Sequence, residues 1–108
     1  MKHTYLFVML AGFLADAANA YDTGAMTCDD VGQYAAAVMT SRGNGQSKDD
    51  ALAAVTSQTQ WPGEVEKGNL ESVVKMIHGR LGDQLFDAKA AHGVITRDCE
   101  ISKRRQKQ

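Results

Sequence analysis

The chain has 108 residues, 12 Lys and Arg against 13 Asp and Glu, and a formal net charge of −1. Its length allows one domain with a modest core. The charge is uneven: residues 21–102 hold 12 acidic and 7 basic side chains, and a basic cluster follows. An acidic body excludes nucleic acid as the main partner, because affinity there comes mostly from neutralising phosphates.

The chain opens with Met1, Lys2 and His3, a short basic start. An uncharged apolar run follows over 5–15, and then the small residues Ala18-Asn19-Ala20. This is the pattern of a secretory signal peptide over 1–20, with cleavage expected between Ala20 and Tyr21. The apolar run is shorter than the roughly 20 residues that span a bilayer, so no stable membrane anchor is expected.

The first predicted helix starts at Thr27, whose hydroxyl can cap it, with Asp30 three residues on as a capping-box partner. Asp29 and Asp30 suit the positive end of the helix dipole. Cys28, Val31, Ala35, Val38, Met39 and Arg42 follow helical spacing, and Gly43 or Gly45 ends the segment. A second helix is expected from Ser47, with Asp50 as its partner and Ala51, Leu52 and Val55 on one face. It fades over 58–60, before the break Trp61-Pro62-Gly63.

A third helix is expected after Gly68, with Asn69 as its cap. Leu70, Val73, Val74, Ile77 and Leu81 form its apolar stripe, and Gly82 closes it. The fourth is expected from Asp83, with Leu85, Ala88, His92, Ile95 and Cys99 on one face. Gly93 and the β-branched residues 94–96 disfavour helix there, so a strand over 94–101 is the alternative. Lys103-Arg104-Arg105-Gln106-Lys107-Gln108 holds few apolar residues and is expected to be a disordered basic tail.

Two cysteines in an exported chain read as a disulfide, here Cys28–Cys99. Both lie on apolar stripes, near the two ends of the domain. If the first and last helices pack antiparallel, the bridge pins the bundle shut. The expected architecture is all-α: a compact four-helix domain over 21–102, after the signal peptide and closed by one disulfide.

Chemistry-bearing patterns are sparse. Gly43-Asn44-Gly45-Gln46-Ser47-Lys48 lacks the spacing of a phosphate loop and reads as a helix–helix turn. His78 and His92 have helical placements that allow them to face one another, but no third metal ligand lies close in sequence. Either, if buried neutral, would sense pH. The paired acids at helix starts are explained by capping. No enzyme, cofactor or metal site is expected. Trp61, the lone tryptophan, stands in a loop with Glu64 and Glu66 after it. Trp61 either plugs the bundle end or anchors a protein partner, with Glu64 and Glu66 beside it.

The exported start, the helix LESVVKMIHGRL over 70–81 and Cys99 closing the last helix resemble the small periplasmic immunity proteins that neutralise type VI secretion amidase effectors. That resemblance implies a periplasmic inhibitor of an effector enzyme. Thr27-Cys28-Asp29-Asp30 is similar to the opening of periplasmic acid-stress chaperones. This second resemblance implies a protein that loosens in acid and exposes apolar surface. Either way the expectation is a periplasmic or secreted protein of a Gram-negative bacterium. It would bind a protein partner, and a homodimer is possible.

Overall fold

The computed structural model describes residues 22–106. The expected signal peptide and its cleavage site lie outside the described residues. Among those described the chain is all-α, with five helices and no strand. They are α1 Cys28–Gly43, α2 Lys48–Ser57, α3 Glu64–Ile77, the short α4 Arg80–Gln84 and α5 Ala88–Gln106.

The start of α1 is set by a complete capping box. The Asp30 amide donates to Thr27 Oγ1 at 3.0 Å, and the Thr27 amide donates to Asp30 Oδ2 at 2.9 Å. Its end is a Schellman turn. The Gly45 amide donates to the Arg42 carbonyl and the Gln46 amide to the Ser41 carbonyl. Gly45 takes φ +95°, a conformation costly for any residue with a Cβ. Ser47 caps α2 by accepting from the Asp50 amide at 3.1 Å.

The apolar stripes meet in one core. Val31, Ala35 and Val38 come from α1, and Ala51 and Val55 from α2. α3 adds Leu70, Val73, Val74 and Ile77; α5 adds Ala91 and Ile95. Met26 covers the end of this core from the turn before α1. α1 and α5 pack antiparallel and very closely. A Cβ on Gly32 would overlap Thr96 Oγ1 and lie 2.9 Å from the His92 carbonyl oxygen. Glycine costs about 1 kcal/mol inside a helix, and here it lets two backbones touch. The Cys28–Cys99 disulfide joins the first turn of α1 to α5, with a Cα–Cα distance of 5.5 Å.

Five expectations are corrected. α3 starts at Glu64, not after Gly68, and Asn69 is no cap. It lies inside the helix, 1% exposed, and neither polar atom of its side chain has a partner among the described residues. The earlier start is held from outside. Glu66 accepts from the Ala25 amide at 2.8 Å, and Lys67 Nζ donates to the Thr56 carbonyl at 2.7 Å.

α3 also stops earlier, at Ile77, and Gly82 lies inside α4 rather than capping α3. In a continuing helix the Ile77 carbonyl would accept from the amide of Leu81. Instead it accepts from Arg42 Nη1 at 2.6 Å.

α5 starts after Asp87, whose Oδ1 accepts from the Ala90 amide at 2.9 Å. Asp83, the expected cap, sits in α4 and pairs with Arg42 instead. The strand alternative falls, because the whole of 94–101 is helical. Ile95 and Cys99 are fully buried against α1, and that burial outweighs the weak propensity of the β-branched run. α5 continues to Gln106, so the basic tail expected to be disordered is helical over 103–106. Three cations in the last turn offset the negative end of the helix dipole.

Candidate functional site

The α2–α3 loop presents Trp61 as a braced, half-buried side chain packed against the core. The Gln58 side chain grips its backbone from both sides. Gln58 Nε2 donates to the Trp61 carbonyl at 2.7 Å, and the Trp61 amide donates to Gln58 Oε1 at 2.8 Å. Glu66 is tied to the Ala25 amide, while Glu64 is exposed in the first turn of α3. Val65, between them, is 47% exposed. The sequence-predicted trio therefore gathers at one end of the bundle, but Glu66 is engaged in holding the fold and Trp61 leans inward.

The most exposed aromatic is Phe86, which the stripe analysis passed over. It lies in the α4–α5 connection and is 94% exposed. Asp87 caps α5, so Phe86 occupies the position that often packs back onto the helix as a hydrophobic staple. Here it does not pack, whereas its neighbour Leu85 rests on the core. A signal was present in the sequence: an aromatic directly before an Asp cap, outside every apolar stripe.

The two histidines do not face one another. His92 Nε2 meets Asp29 Oδ1 at 2.8 Å, beside the start of α1. His78 caps α3 near Arg42, at the other end of α1. Among the described residues no three His, Cys, Asp or Glu side chains gather where a metal ion would sit. His78 Nε2 is buried without a partner among the described residues. Burial, then the positive charges of Arg42 and Lys48, push its pKa below the usual 6.5.

A histidine with a lowered folded-state pKa contributes stability that is full above its unfolded value and lost as pH falls through the folded value. The melting temperature should therefore fall as pH drops from 7 through 6.5 and below. In His78→Gln that part of the slope should vanish, and a variant that keeps the full slope would refute this assignment.

Two concavities are lined by described residues. A cleft of about 120 Å³ between α1 and α2 is lined by Tyr34, Val38, Ser41 and Ala51. It is smaller than the roughly 300 Å³ at which small-molecule sites begin. Half-burial there raises the Tyr34 pKa above its usual 10.0. The second is an open groove of about 830 Å³ along α5, running from Cys28 and Gly93 past Arg97 to Arg104.

No helix among the described residues is long and apolar enough to cross a membrane. The disulfide is compatible with export. Compared with protein-family models, with curated proteins and with solved structures, the chain finds no match.

Proposed function

We propose that this chain is an exported, disulfide-closed protein-binding domain of the immunity type, which inhibits an effector enzyme in the periplasm. The observation that carries the reading is Phe86, 94% exposed on a short connection between two packed helices. A large aromatic held out by a rigid scaffold loses little entropy on docking and suits the centre of an interface. The acidic excess over 21–102 adds complementarity to a basic active-site cleft. This reading moves the anchor from Trp61, which packs against the core, to Phe86.

The test uses oxidised 21–108 as bait in a bacterial envelope extract, beside Phe86→Ala. One stoichiometric partner that survives salt washing is expected. Its affinity should fall roughly 30-fold in the variant, as for an anchor residue worth about 2 kcal/mol. Equal retention by both proteins, or no partner at all, would overturn the reading.

One observation favours a second reading, the acid-stress chaperone. Carboxylates hold both ends of the α3–α4 arm: Glu66 binds the Ala25 amide and Asp83 pairs with Arg42. Acid neutralises such groups, while the disulfide keeps α1 and α5 joined. A chaperone of this kind would bind apolar dyes at about pH 2–3 and refold on neutralisation. A chain that stays compact and dye-free there is no such chaperone.

A further inference from the structure

We propose that the groove along α5 is a second docking surface, and that it takes an acidic segment of a partner protein. The inference rests on the reading of this chain as a protein binder, but it uses a face that Phe86 does not define.

At 100° per residue, Gly93, Arg97, Glu100, Lys103 and Arg104 share one face of α5, and Cys28 borders it from α1. None of the three cations has a carboxylate within 4.0 Å among the described residues. The helix dipole accounts for Lys103 and Arg104, which lie in the last turn. It does not account for Arg97, two turns upstream and beyond the reach of that effect. These three cations and the single carboxylate of Glu100 therefore leave a net positive strip on a body with an acidic excess.

The floor of the strip is open. A Cβ on Gly93 would meet nothing within 4 Å. This glycine serves no internal contact, in contrast to Gly32, and it leaves bare helix backbone that a partner can approach closely.

The spacing of charges selects the partner's chemistry. Glu100 lies between Arg97 and Lys103, and the exposed Asp29 stands beside His92 at the rim. A continuous polyanion, such as nucleic acid or an anionic bilayer, must meet both carboxylates. A protein segment with separate carboxylates need not. Arg97 and Arg104 are seven residues apart, roughly 10 Å along the helix. Carboxylates at i and i+7 of a partner helix match that distance, and each can accept two parallel hydrogen bonds from a guanidinium.

The test is a titration of oxidised 21–108, read at the Gly93 and Thr96 amides by NMR. The probe is an alanine-based helical peptide with two glutamates seven residues apart. The controls are a peptide with the glutamates five apart, a 20-base-pair DNA and phosphatidylglycerol vesicles. The first peptide should shift both amides and weaken as salt rises. Arg97→Gln with Arg104→Gln should reduce its affinity at least tenfold, with helical circular dichroism unchanged. Equal binding of both peptides, no shift at Gly93, or preferential binding of DNA or vesicles would overturn the proposal. Phe86→Ala should leave this titration unchanged, so the two readings fail separately.

Discussion

Reducing the Cys28–Cys99 bridge is expected to lower the melting temperature by roughly 20 °C. The bond spans 71 residues of sequence and encloses the core contributions of α1, α2 and α3 as well as most of α5. Opening a loop of that size releases chain entropy in the unfolded state worth about 4 kcal/mol. A domain this small has little else to offset such a loss. Reduction in native buffer should also be slow. Cys28 is only partly exposed and Cys99 is fully buried, so a thiolate attacking Cys28 must expel the Cys99 thiolate into an apolar site. Calorimetry of the protein with and without reductant, and of the Cys28→Ser, Cys99→Ser double variant, measures the effect. A shift below about 5 °C would show that the helices hold themselves together without the bridge.

Gly82→Ala should be the most damaging small substitution, at about 3 kcal/mol. Gly82 is buried in α4. A Cβ there would overlap the Ile77 carbonyl oxygen and lie 2.6 Å from its carbon. It would also crowd Arg42 Nη1. Both obstacles belong to the same joint, because Arg42 donates to the Ile77 carbonyl and pairs with Asp83. The side chain of Arg42 can give way only by leaving that carbonyl; the Ile77 backbone can give way only by moving α3. Gly93→Ala is the matched control, since its added methyl meets nothing within 4 Å and should stabilise the helix slightly. Urea unfolding of the two variants compares them directly. If Gly82→Ala cost no more than Gly93→Ala, the close packing of α4 on Ile77 would be wrong.

Much of the architecture was legible from local chemistry. Thr27 with Asp30, and Ser47 before Asp50, offer amide acceptors at the points where helices begin. The apolar stripes of α1, α2 and the second half of α3 reached the core as their periodicity implied; of the stripe expected for α5 only Ile95 and Cys99 are buried, while Ala88 and His92 lie outside the core and Ala91 enters it. The pairing of the cysteines followed from their number and from the expectation of export. Both misplaced ends of α3 depend on distant residues, whereas the start of α5 was misplaced although its cap, Asp87, is local. Glu66 and Lys67 reach Ala25 and Thr56 to extend α3 forward, and Arg42 takes the Ile77 carbonyl to end it. The partners of these contacts stand 41, 11 and 35 positions apart, so helical periodicity and capping patterns do not reveal them.

The candidate surfaces divide in the same way. Trp61 drew attention because tryptophan is rare and loops carry function, yet its exposure depends on how Gln58 braces the loop against the core. Phe86 carried a sequence signal, an aromatic directly before an Asp cap, but its failure to fold back onto α5 shows only in the structure. The cations at the end of α5, Lys103, Arg104 and Arg105, read from sequence as part of a loose tail. Helix extends them into a strip continuous with Arg97, because a helix places residues seven apart on one face while a disordered tail places them nowhere in particular.

By itself the sequence determined that this is an all-α, disulfide-closed chain with acidic helix starts and a basic end. The helices and charges follow from residue type and short-range spacing, which are complete in a few turns of chain; the disulfide follows from the count of two cysteines. Tertiary structure decided where α3 begins and ends, which aromatic stands free, and that His78 and His92 lie apart. Each of those depends on what packs against a residue from elsewhere in the chain, and burial is a property of the assembled core.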